Sequence, residues 1–203
     1  MSIYSGKPQY TNISIPLRAD TVSEKLLEVL DIKTLTIAPE AGSERLRNYI
    51  GKDISMEDIE RALEIAKINN IDSIKLYYMV GLPTEEKEDI EGIINLSKNI
   101  KREVRKVSIS INPFIPKPCT EFEKEPFNME SKNTIRYIEK SLRGYGIQVG
   151  YENFNSMVIQ CVLCRGDASL GNLIREYNKP NQFLKYLKRM GLLNKYLGSW
   201  NND

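Results

Sequence analysis

The amino-acid sequence predicts an α/β fold built on a parallel sheet, and three observations carry that prediction. Four short β-rich runs, at 12–17, 33–38, 72–80 and 107–112, alternate with stretches whose apolar residues recur at helical spacing, the pattern of successive βαβ units. The loops that follow these runs are rich in Gly, Pro, Ser and Thr, which supply turns and caps. After Asn112 the alternation gives way to a proline-marked stretch and then to mainly helical patterns, a second region of different character. Right-handed crossovers place all the helices on one side if such a sheet curls, and the pattern is compatible with an open or a barrel-like sheet.

Taken in order, Asn12 to Leu17 (NISIPL) reads as a short strand. Thr21-Val-Ser-Glu24 has the form of a capping box opening a helix through Leu26, Leu27 and Leu30. Lys33 to Ala38 alternates as a strand and is expected to stop at Pro39, and Gly42-Ser43 opens a short helix bearing Leu46 and Ile50. Ser55-Met-Glu-Asp58 is a second capping-box signature, followed by Ile59, Leu63 and Ala66 and an end at Asn69-Asn70. Asp72 to Val80 reads as a strand closed by Gly81 and Pro83, with Thr84 expected to cap the next helix, on which Ile90, Ile93 and Ile94 share a face. Val107 to Asn112 is the next strand. Further on come a helix over Ser131 to Gly144, a fifth strand over Ile147 to Tyr151, and helices over Ser156 to Arg165, Ala168 to Tyr177 and Asn181 to Leu197.

Composition narrows the function. The 203 residues are 41% hydrophobic and include 11 Tyr, 5 Phe and 1 Trp, enough to fill a core. The 29 Lys and Arg nearly balance the 27 Asp and Glu, so a nucleic-acid partner is not indicated by total charge. No apolar run is long enough to span a membrane and the first residues do not read as a signal peptide, so no membrane role and a cytoplasmic location are expected. Histidine is absent, which excludes Ser-His-Asp triads, Cys-His pairs and His-ligated zinc. Acid–base work falls to other side chains or to a cofactor.

In a parallel sheet the strand ends lie together, so Arg18, Glu40, Glu85 and Asn112 are candidates to line one site. Turn and cap chemistry is the plainer reading of any one of these loops. Lys75 is the sharpest single residue: with Tyr77 and Met79 it shares one face of its strand, opposite Ile74, Leu76 and Tyr78. A central parallel strand is ordinarily apolar on both faces, so such a lysine must be paired or bind an anion; the alternatives are an edge strand with Lys75 in water, or an amine catalyst in a phosphate-binding barrel enzyme. Cys161-Val-Leu-Cys164 has the spacing of a metal half-site, but only Cys119 remains as a further thiol, and the apolar surroundings favour a core role. The cations Lys98, Lys101, Arg102, Arg105 and Lys106 read as a solvated helix end.

Three runs, LTIAPEAGSERLRNYIGKDIS, SIKLYYMVGLPTEEKEDIEGI and VSISINPFIPKPCTEF, together with the tail QCVLCRGDASLGNLI, resemble radical S-adenosylmethionine (SAM) Fe-S oxidoreductases of a group often linked to a B12-binding-type domain. The resemblance covers about Pro8 to Ile174. It implies a TIM-like (β/α)6 partial barrel, of which residues 1–118 would supply strands three to six, with 119–203 a C-terminal, mainly helical extension. It also implies SAM-contacting positions: Arg18 at the third strand end, Glu40, Gly42 and Ser43 at the fourth, Gly81 and Glu85 at the fifth, and Asn112 and Phe114 at the sixth, with Lys75 and Tyr77 facing SAM or substrate. The family's CxxxCxxC loop, which holds a 4Fe-4S cluster, is absent from this sequence.

The resemblance therefore implies the SAM- and substrate-holding portion of an iron-sulfur oxidoreductase, inactive alone. The cluster would be present only in a full-length or partnered form that includes a cluster-bearing segment. A non-catalytic scaffold, or a split subunit completing a partner's barrel, is the alternative, and a bare third strand would favour self-association.

Overall fold

The computed structural model describes residues 16–30, 32–177 and 179–199. Five parallel strands, β1 (Pro16–Leu17), β2 (Leu35–Glu40), β3 (Ser73–Val80), β4 (Lys106–Pro113) and β5 (Gln148–Gly150), lie side by side in chain order. Between them run α1 (Glu24–Leu30), α2 (Glu44–Tyr49), α3 (Met56–Ile68), α4 (Lys87–Glu103) and α5 (Ser131–Arg143). The chain closes with α6 (Phe154–Arg165), α7 (Ala168–Glu176), α8 (Pro180–Arg189) and α9 (Leu193–Leu197). This is the α/β architecture with a parallel sheet that the alternation of strands and helices predicts. Of the strand expected at 12–17, all but Pro16–Leu17 lies outside the described residues.

Local chemistry explains most boundaries. The capping box before α3 is complete: the Ser55 hydroxyl accepts from Asp58 N–H at 3.0 Å, and the Asp58 carboxylate accepts from Ser55 N–H at 3.0 Å. Several expectations are corrected. Thr21 does not cap α1; its hydroxyl donates to the Arg18 carbonyl within a 3-10 turn, and Ser23 accepts from Leu26 N–H instead. β2 does not stop at Pro39 but passes through it, because a register shift between Ile37 and Glu40 frees the proline from donating to the ladder. Thr84 has a left-handed backbone (φ 59°), and the helix opens two residues later on a Glu86–Asp89 box. The single helix expected over 181–197 is two, because Gly191 turns with φ 69° between α8 and α9.

The two faces of the sheet differ. Leu35, Ile37, Ile74, Leu76, Tyr78, Val80, Val107, Ile109 and Ile111 form one buried face, packed under Ile59, Ala62 and Ala66 of α3, Ile90, Ile93 and Ile94 of α4, and Ile135 and Ile138 of α5. Register places Thr36, Lys75, Ser108 and Gln148 in one row of the opposite face, and Tyr77, Ser110 and Gly150 in the next. β3 and β4 accordingly alternate between buried and half-buried positions, whereas β2 is buried on both faces from Leu35 to Pro39. β3 is flanked on both sides by strands, so the edge-strand reading of Lys75 is overturned. Its polar face lies opposite the layer of α3, α4 and α5. At full burial each large aliphatic side chain of that layer contributes about 1.5–3 kcal/mol.

A second core gathers Phe127, Val158, Cys161, Val162, Leu170, Phe183, Leu187, Tyr196 and Leu197 from the helices that end the chain. Arg165, 4% exposed, ties it together by donating to the carbonyls of Tyr196 (3.1 Å), Gly198 (2.9 Å), Glu123 (2.7 Å) and Glu125. α5 and β5, beyond residue 118, complete the first layer and sheet. Among the described residues no helix is long and apolar enough to cross a membrane.

Candidate active site

Parallel pairing brings the carboxyl ends of all five strands to one edge, and the loops there are braced by their own polar groups. At the end of β1, Arg18 forms a bidentate pair with Asp20 (both contacts 3.1 Å) and donates to the Lys52 carbonyl at 2.9 Å. The Lys52 ammonium in turn meets Glu40 at 3.1 Å, so Arg18 and Glu40 are linked through one residue that the sequence reading passed over. Glu40 has a left-handed backbone (φ 67°) just after the β2 irregularity, which aims the following loop toward α4.

Gly42 and Ser43 have evident structural work. A Cβ on Gly42 would sit 2.0 Å from the Asp89 carbonyl oxygen and 2.4 Å from Ile93 N, so only glycine lets this loop touch α4. Ser43 caps α2 by accepting from Leu46 N–H at 3.1 Å, and its hydroxyl donates to the buried Asp89 carboxylate, which also pairs with Arg45 and accepts from Glu86 N–H at 2.7 Å. Arg47, fully buried, donates to Ile54 O at 2.6 Å and reaches the carbonyls of Ala41 and Gly42 at 3.4 and 3.5 Å. Burial lowers the affinity of its guanidinium for its proton. Asp89 and Arg47 were missed by sequence reasoning. The signal for Asp89 was an E-x-x-D box in place of the usual S/T-x-x-E; Arg47 carried none.

At the end of β3, Gly81 (φ 76°) donates its N–H to Glu85 at 2.7 Å. Desolvation raises the Glu85 carboxyl to about 7, the backbone hydrogen bond opposing and the Asp89 charge reinforcing the rise. At the end of β4, the Asn112 side chain accepts from Glu152 N–H at 2.9 Å, joining β4 to the loop after β5. Phe114 packs with Ala41, Leu46, Leu82 and Met79, an apolar patch shared by the ends of β2, β3 and β4, and meets Phe122 edge-on at 6.1 Å. Lys75 and Tyr77 stand on the polar sheet face, the Lys75 ammonium 4.9 Å from the Tyr77 ring centre. The structure thus links Arg18 with Glu40, Gly81 with Glu85, and Phe114 with the β2 and β3 ends, whereas Gly42 and Ser43 serve the α4 contact.

The strand ends offer the Glu40 and Glu85 carboxylates, held by Lys52 and by Gly81 N–H, and an apolar patch that includes Phe114 and Met79. The described residues do not fit an iron-sulfur cluster. None of them form a group of three or more Cys, His, Asp or Glu able to hold a metal. Cys161 is fully buried in the helical core with its thiol pushed up to about 11, while Cys119 is exposed on a loop. A cluster needs thiolates, and this surrounding opposes one at Cys161.

Residues 9–97 match the family model of the Radical SAM superfamily, which supports that family. An uncharacterized protein of Methanocaldococcus jannaschii is 55% identical over 182 residues, 90% of this chain and 41% of the relative. A second uncharacterized protein of the same organism is 28% identical over 110 residues, 53% of this chain and 21% of the relative. The chain therefore spans about two fifths of the first relative's length and about one fifth of the second's.

Proposed function

We propose that this chain is the SAM- and substrate-holding portion of a radical SAM iron-sulfur oxidoreductase. Its cluster would sit on a CxxxCxxC segment outside these residues, within a longer polypeptide or a partner subunit. The observation that carries the reading is the asymmetric sheet: a helix-covered apolar face, and an opposite face on which β3 and β4 place the half-buried Lys75, Tyr77, Ser108 and Ser110, as the inner side of a ligand-holding barrel wall would. The match of residues 9–97 supports it.

Glu40 and Glu85 would hold polar groups of SAM, and Asn112 and Phe114 its base. Arg18 keeps Glu40 in place through Lys52, while Gly42, Ser43 and Gly81 fix the loops. Lys75 and Tyr77 would face the substrate side. When bound beside a reduced cluster, SAM supplies a carbon-centred radical, and the protein's part is to orient and shield it.

Calorimetric titration with S-adenosylhomocysteine tests the reading on this chain. Binding is expected, weak because the wall is incomplete, and about tenfold weaker in Lys75→Ala, a change on the open face that leaves the core intact. Absence of binding to the wild-type chain overturns the SAM-holding role and leaves the scaffold.

A further inference from the structure

The balanced total charge conceals a local excess. Residues 175–195 hold six Lys and Arg (Arg175, Lys179, Lys185, Lys188, Arg189, Lys195) against Glu176 alone. The rest of the chain keeps 23 cations and 26 carboxylates, so the tip is net +5 on a body of net −3. Among the described residues, of these six cations only Lys195 is in an ion pair, with Asp167 at 3.8 Å. The others are exposed.

The same region carries an aromatic platform. Tyr177, after α7, stacks on Tyr186 of α8 with ring centres 4.5 Å apart and planes at 26°. The Arg189 guanidinium lies 5.8 Å from the Tyr186 ring centre. Both rings border a cavity of about 450 Å³ that is also lined by Glu176, Gln182, Lys185 and Arg189. That volume falls in the range of small-molecule sites, about 300–1,000 Å³. The apolar side of α8 is already used: Phe183 and Leu187 are buried in the helical core. Gln182, Lys185, Lys188 and Arg189 of α8 are exposed, as are Ile174 and Met190 nearby; the stacked ring pair, which a base can extend and a lipid surface does not use, favours a nucleic acid over a membrane.

We infer that this tip binds a single-stranded nucleic acid. A base would enter the cavity against the Tyr177–Tyr186 pair with Gln182 at its edge, and the flanking phosphates would lie along Lys185, Lys188 and Arg189. Stacking is sequence-tolerant, and cations along the backbone add a salt-dependent share. The spread of charge beyond the cavity selects a polyanion over a lone nucleotide. The inference does not depend on the SAM reading, since it uses none of the strand-end residues.

The test is fluorescence anisotropy with a labelled single-stranded RNA of about 12 nucleotides, a length within the usual site sizes. The wild-type chain is expected to bind, with affinity falling steeply as salt rises. The exposed pair Lys185→Glu with Arg189→Glu, which leaves the buried Phe183 and Leu187 unchanged, is expected to weaken binding at least tenfold. Tyr186→Leu, checked by circular dichroism for retained helix, is expected to weaken it at least fivefold while the salt slope stays the same. Wild-type binding unaffected by the charge reversal overturns the inference. So does equal binding of phosphatidylserine vesicles with no loss in Tyr186→Leu, which would mark an anionic membrane surface, and so does binding of uridine monophosphate as tight as that of the strand.

Discussion

Replacing Glu85 by Gln isolates the cost of one buried carboxylate at the end of β3. The group titrates near 7 in the fold against an ordinary value of 4.5, chiefly because it is desolvated. Between those pH values the native state keeps a proton that the unfolded chain has released. Stability is therefore greatest below about pH 4.5 as far as this group is concerned, falls as pH rises to about 7, and is flat beyond. At about 1.36 kcal/mol per pH unit the loss is about 3 kcal/mol at most. For a chain of this size that is about 6–12 °C in melting temperature.

Gln keeps an oxygen to accept from Gly81 N–H but cannot ionise. The chain contains no histidine, so few other groups titrate in this window. Asp20, Asp58, Asp72 and Asp167 are held below their ordinary range by hydrogen bonds, and their contributions are lost only at lower pH. Urea unfolding of both proteins from pH 5 to pH 8 should show E85Q close to wild type at the acid end and more stable by up to about 3 kcal/mol at pH 8. Parallel curves across the window would refute the burial argument.

Three further outcomes follow from named contacts. Gly42→Ala should cost at least about 3 kcal/mol or abolish soluble expression, since its methyl meets α4 backbone at 2.0 Å, whereas Gly171→Ala in α7, with nothing within 4 Å, should gain up to about 1 kcal/mol; urea midpoints compare them. Arg165→Met should destabilise the terminal helices by about 3 kcal/mol, because four carbonyls lose a charged donor, and limited proteolysis should then cut first between residues 166 and 199. In the folded chain Cys119 should react rapidly with a thiol reagent and Cys161 only after unfolding, as mass mapping of the adducts would show.

The alternation of strands and helices was legible because period-2 and helical spacings are properties of the chain itself. Ser55–Asp58, the Ser43 cap and the helices expected over 131–144 and 156–165, which the structure places at 131–143 and 154–165, declared themselves by short-range chemistry. What was not legible depends on partners distant in sequence. That Lys75 sits in a central strand, on the face opposite the α3–α5 layer, follows from sheet order and from which face the crossovers cover. The resemblance implies a SAM contact for the Gly42 loop, yet the clearest constraint on Gly42 is the α4 backbone 47 residues away in the chain at Asp89. The basic tip escaped a reading based on total charge, because an acidic body offset it.

The central claim, a SAM-holding wall whose cluster lies elsewhere, is tested most directly by anaerobic reconstitution with iron and sulfide, followed by assay for 5′-deoxyadenosine with SAM and a reductant. The chain alone should take up no cluster and form no product, and the same residues within a polypeptide that includes a CxxxCxxC segment should form it. Product from the chain alone, or none from the extended polypeptide carrying a loaded cluster, would contradict the account.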